Sequence, residues 1–160
     1  MSASAWYRDR DARSLIAFRY LPWFAVLSLA WEAAHVSLYT LWEEAAPGYI
    51  VFSVLHCTIG DVLIGSATLL LALILGREGA LAHWRWARVA ALAVFFGAGY
   101  TVFSEWMNIR VLRSWTYAES MPTIELGQFE LGVTPLAQWL LVPPLALYLA
   151  RRTRKEPQWS

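Results

Sequence analysis

The sequence has little charge, almost no cysteine and no repeat, and each shortage removes a class of protein. Only 16% of its 160 residues are charged, against 58% apolar and 15% aromatic, a balance too apolar for an ordinary soluble domain. The lone cysteine, Cys57, excludes an internal disulfide. No basic block separates the apolar runs, so nucleic acid is not an expected partner, and the net charge of +1 singles out no charged ligand. With neither a low-complexity tract nor internal repetition, the chain reads as a single membrane domain over residues 1–160.

What is present is apolar length. Runs at about 15–41, 49–75, 86–108 and 134–150 each approach or exceed the roughly 20 residues needed to cross a bilayer. Lipid cannot satisfy exposed backbone groups, so each run is expected to be a helix. The expected fold is an all-α integral membrane protein, a four-transmembrane-helix bundle with tails at 1–14 and 151–160. The opening "MSASAWYRDRDARS" is a polar prelude of mixed charge, unlike a cleavable signal peptide. Pro47-Gly48 marks a tight turn between the first two helices. Pro143-Pro144 is expected to kink the fourth helix or leave carbonyls there unpaired. In the connection "GREGALAHWRWAR", Trp84 and Trp86 read as interface anchors and His83 as a solvated loop residue.

Eleven of the thirteen Lys and Arg residues lie before or at the start of the first run, between the second and third runs or at the start of the third, or after the fourth. Only Arg110 and Arg113 fall on the other side, so both termini are expected in the cytoplasm. The expected location is a bacterial inner membrane, with the opposite face in the periplasm. On that face the segment 109–133 is too polar to span, yet carries Trp115, Tyr117, Met121, Ile124 and Phe129. It reads as an interfacial outer lid.

The polar residues of the spans fall in one layer. In an antiparallel helix pair, residues equidistant from the turn lie level, with a rise of about 1.5 Å per residue. His35 is then level with His56, and Glu32 with Asp61 about a turn deeper. Across the second connection Asn108 matches His56, while Ser104 and Glu105 lie close to Asp61. Glu32, His35 and Tyr39 share a helix face, as do Tyr100, Ser104 and Asn108. Asp61 projects about 140° around its helix from His56, the weakest joint of the set. The cytoplasmic halves hold little polarity beyond Ser28, Ser66 and Thr68.

Three carboxylates, Glu32, Asp61 and Glu105, thus sit in the outer halves of spans that offer them no lysine or arginine. Buried unpaired carboxylates take up protons or find a cation. His35, His56 and Asp61 form a nitrogen and oxygen ligand set suited to a divalent zinc, iron or manganese ion. Glu105 or Glu32 is then the catalytic base that activates water. Glu32-x-x-His35 has the spacing by which di-iron carboxylate bundles aim two ligands at one centre, though those bundles carry the motif twice and this chain once. Asn108, Ser104, Tyr39, Tyr100 and Gln138 are candidates to orient the ligands or complete the polar shelf. The structural alternative is a hydrogen-bonded cluster that ties the helices together. On that reading Cys57 is a small buried hydrophobe, Ser104 bonds backbone, and Tyr39, Tyr100, Trp106, Trp115 and Tyr117 pack or anchor.

The segment "SWTYAESMPTIELGQFELGVTPLAQW", about a sixth of the chain, resembles the Trp-x-Tyr, Gly and Pro-Leu pattern of small membrane carotenoid cyclases. The acidic pair that family carries after the proline is replaced here by Ala137-Gln138, and no residue role is transferred. The leading functional expectation is a metal-dependent membrane hydrolase acting on a lipid or lipid-linked substrate. The alternative is a non-catalytic accessory or assembly subunit of a larger membrane complex. An ion or proton transporter is disfavoured, because a relay needs polar groups along the whole path.

Overall fold

The computed structural model describes residues 5–153. Arg154 and Lys155, two of the charges behind the expected orientation, lie outside the described residues. Four helices are long and apolar enough to cross a membrane: α1 Arg10–Leu38, α2 Pro47–Leu75, α3 Trp86–Val111 and α4 Val133–Arg152. Helix α1 begins before the expected position 15, because Asp9 caps it with its carboxylate accepting from the Asp11 N–H at 3.0 Å. Its path includes a π-helical turn at Ile16–Tyr20. Pro22 follows that turn and has no N–H for the carbonyl of residue 18, a local cause for widening the helix. Helix α1 ends at Leu38 rather than 41, and the short helix Leu41–Glu44 fills most of the connection to α2. Pro47 opens α2 as its first residue, where a missing N–H is harmless.

The tightest core occupies the half of the bundle away from the Leu41–Glu44 connection. Tyr20, Phe24, Leu69, Leu73, Val89 and Ala146 are fully buried there. Gly65 lets the Phe24 ring lie against the α2 backbone, and Gly97 does the same for Trp139 on α3. Helix α4 runs through Pro143-Pro144 without a break, at the cost of the two backbone N–H donors that these prolines lack.

Trp84 corrects the expectation of an interface anchor. It is buried, and its indole N–H donates to the Gly79 carbonyl at 3.1 Å. The connection around it is fastened by polar groups that the membrane-oriented reading did not single out. Buried Glu78 accepts from the Arg85 side chain and backbone N–H groups, both at 3.1 Å, and Asp9 accepts from the Leu81 N–H at 2.6 Å. His83 is exposed, as a loop histidine should be.

Beside the helices, the connection before α4 carries a small strand element that the sequence reading did not single out. An antiparallel hairpin, β1 Thr123–Leu126 and β2 Phe129–Gly132, precedes α4. Gly127 takes a φ of +65° in its two-residue turn, a conformation free of strain only for glycine. Upstream of the hairpin, Tyr117 bridges to Tyr39 in antiparallel fashion. The Thr40 N–H donates to the Thr116 carbonyl at 3.1 Å, and the Ala118 N–H to Leu38 at 2.9 Å. The connection is thereby laid against the end of α1.

Candidate functional site

Between the four helices, at the end carrying the hairpin, lies a cavity of about 810 Å³. Helix α1 contributes Glu32 and His35, α2 contributes His56 and Asp61, α3 contributes Ser104, Glu105 and Asn108, and α4 contributes Gln138. Tyr39 and Tyr100 also line it, so every site residue expected from the sequence borders one volume. Helix α3 passes the cavity and then widens into a π-helical turn at Met107–Val111, a feature often found beside functional sites.

Within the cavity the ionisable groups are held in pairs. His35 Nε2 lies 3.3 Å from Glu32 Oε2, as their three-residue spacing on α1 allows. The Gln138 amide donates to Asp61 Oδ2 at 2.6 Å, joining α4 to α2. The Glu32 and Asp61 carboxyls, from α1 and α2, both line the cavity. The Tyr117 hydroxyl donates to the Glu105 carboxylate and accepts from the Gly132 N–H, the latter at 2.8 Å. Asn108 donates to the Ser104 carbonyl at 2.9 Å and lies 3.3 Å from its hydroxyl. Among the described residues that line the cavity, Nδ1 of His35 is buried without a hydrogen-bond partner.

The expected metal ligands share the cavity without forming a ligand set. Among the described residues, no three His, Cys, Asp or Glu side chains converge as a metal site. His56 is exposed, its ring stacked on Phe52 at 5.6 Å. Asp61 Oδ2 accepts from the Gln138 amide.

Sequence reasoning treated Tyr117 and Trp115 as packing groups and did not single out Thr101. Thr101 is buried and lines the cavity, as does Trp115. Burial pushes the Tyr117 phenol above its ordinary value, and its hydrogen bond to Glu105 adds to the shift. Burial followed by the nearby Glu105 charge raises Tyr39 in the same direction. Both phenols remain donors at neutral pH. The missed signal was the coincidence of Tyr117 with Gly132: a glycine there leaves room for the ring, since a Cβ would meet the Tyr117 hydroxyl at 3.0 Å.

Compared with known families, curated proteins and solved structures, the chain matches none.

Proposed function

We propose that the protein is a membrane-embedded hydrolase of a lipid or lipid-linked substrate. In this reading it lies in a bacterial inner membrane with both termini cytoplasmic, and the segment between α3 and α4 is the lid of a periplasmic cavity. The supporting observation is that Glu32, Asp61 and Glu105, from three helices, all line one cavity of about 810 Å³ inside otherwise apolar spans. That volume suits a small ligand or the polar head of a larger one. In this reading one carboxylate takes the proton of the attacking water while the other carboxyl, carrying a proton, polarises the substrate carbonyl. His35 braces Glu32, Gln138 braces Asp61, and Glu105 held by Tyr117 is the third acidic group at the reacting centre.

A metal-dependent form of this chemistry draws on His35, His56 and Asp61 and requires His56 to turn from Phe52 into the cavity. Near-stoichiometric zinc, iron or manganese in purified protein would favour it. The accessory-subunit reading is supported by a different observation, that each carboxyl already has a protein partner, as interhelical glue would.

The test is hydrolysis of a bacterial lipid extract by wild type, Glu32→Gln and Asp61→Asn in proteoliposomes, followed by mass spectrometry. The acid–base reading expects both variants to fold and to lose activity by about 100-fold or more. Wild-type turnover by Asp61→Asn would remove the carboxyl pair from the mechanism. No turnover by wild type, with unaltered melting of Asp61→Asn, would support the glue reading.

A further inference from the structure

A second hollow runs along the membrane-facing side of α3. Its volume is about 690 Å³, and its walls are apolar, including Ala91, Val94, Phe95, Ala98 and Gly99 of α3 and Leu140 of α4. Tyr100 belongs to the walls of both this groove and the polar cavity. The groove is open at Gly99, where an added Cβ would meet nothing within 4 Å. It runs along α3 from Val102 past Tyr100 to Ala91, towards the start of the helix.

The geometry points to a binding site for one hydrocarbon chain, the tail of the same amphiphile whose polar head enters the cavity. This inference rests on the proposed lipid-like substrate and specifies how that substrate lies. From Glu105 to Ala91 the helix rises about 21 Å at 1.5 Å per residue, roughly the reach of an extended sixteen-carbon chain. A head at the carboxyls and a tail past Tyr100 would therefore fill both hollows with one linear molecule. In a bilayer a chain gains packing rather than the hydrophobic effect by entering such a groove, so the groove determines where the tail lies more than how tightly the molecule binds.

The experiment uses hexadecylamine with a diazirine near its methyl end, whose ammonium head suits the three carboxyls, and hexylamine with a diazirine beside the nitrogen. Full-length protein in liposomes is photolabelled and the labelled residues are mapped. Tail labels are expected to concentrate on α3 between Ala91 and Ala98 and on Leu140. Gly99→Trp, which fills the groove from outside the cavity, should lower that labelling at least tenfold and leave hexylamine labelling of the cavity unchanged. Tail labels spread evenly around the helices, or undiminished in Gly99→Trp, would overturn the groove assignment. Glu32→Gln with Asp61→Asn reads the cavity separately. Loss of head labelling there with undiminished tail labels in Gly99→Trp would reject the groove alone, whereas head labelling unaffected by the double variant would reject the carboxyl pocket itself.

Discussion

Tyr117 joins three parts of the chain through one oxygen: its own segment, Glu105 on α3 and the Gly132 N–H at the end of the hairpin. Tyr117→Phe removes both bonds and leaves a buried carboxylate and an amide short of a partner, a loss of about 1–3 kcal/mol. The expected outcome is faster amide exchange over 117–132 and a lower melting temperature, and unchanged exchange would show that the bonds carry no stability. The phenol also gives a pH dependence. The folded chain holds the Tyr117 proton more tightly than the unfolded chain, whose ordinary value is 10.0. Its contribution is therefore complete below that value and declines as pH rises above it, a loss that Tyr117→Phe should abolish. Residue chemistry was readable where a charge stood alone in an apolar run, as for Glu32, Asp61 and Glu105. It was not readable for Tyr117 or Trp84, because aromatic residues near a membrane boundary have the same sequence appearance whether they anchor, pack or hold a carboxylate.

Helix contacts depend on particular glycines. A methyl group at Gly97 would overlap the Trp139 ring, and one at Gly65 the Phe24 ring, whereas Gly99 faces open space. Gly97→Ala and Gly65→Ala are expected to destabilise the bundle by about 1–3 kcal/mol through overpacking. Gly99→Ala should be neutral or stabilising by up to about 1 kcal/mol, from helix propensity. Melting of the three variants in one detergent checks the order, and equal behaviour of Gly97→Ala and Gly99→Ala would contradict the packing described. The four helices were legible from apolar length alone, and equal depth about each turn placed the polar residues at the level of the cavity. The hairpin was overlooked although "IELGQFEL" alternates apolar and polar residues about Gly127, a strand signal obscured by reading the segment only for its interfacial aromatics. The ends of α1 shifted because capping by Asp9 and the short helix after Leu38 are local hydrogen-bonding outcomes that hydropathy does not encode.

For the whole molecule, the distribution of Lys and Arg predicts that both ends of the chain lie on the cytoplasmic side. A reporter active only in the periplasm, fused after Ser160, should remain silent, and a strong signal would invert the bundle and turn the cavity towards the cytoplasm. The Glu78 and Arg85 fastening shows what such charge counting omits. Arg85 counts towards orientation, yet it is also bound to a buried carboxylate and helps shape the connection that closes the core.

The contrast between the two halves of the bundle has an electrical consequence. Residues 21–29, 65–75, 89–99 and 140–150 include no acidic, basic or imidazole side chain, and the core around Phe24, Leu69 and Ala146 is closely packed. A membrane voltage falls mainly across such low-dielectric material, so most of the field lies beneath the cavity rather than within it. Moving a unit charge through the full membrane changes its energy by about 2.3 kcal/mol per 100 mV, but a charged head entering from the hairpin end would cross only a small part of that drop. If the cavity opens at the hairpin end as proposed, it would be held close to the potential of that compartment, and the occupancy of the proposed amphiphile would respond little to the voltage across the membrane.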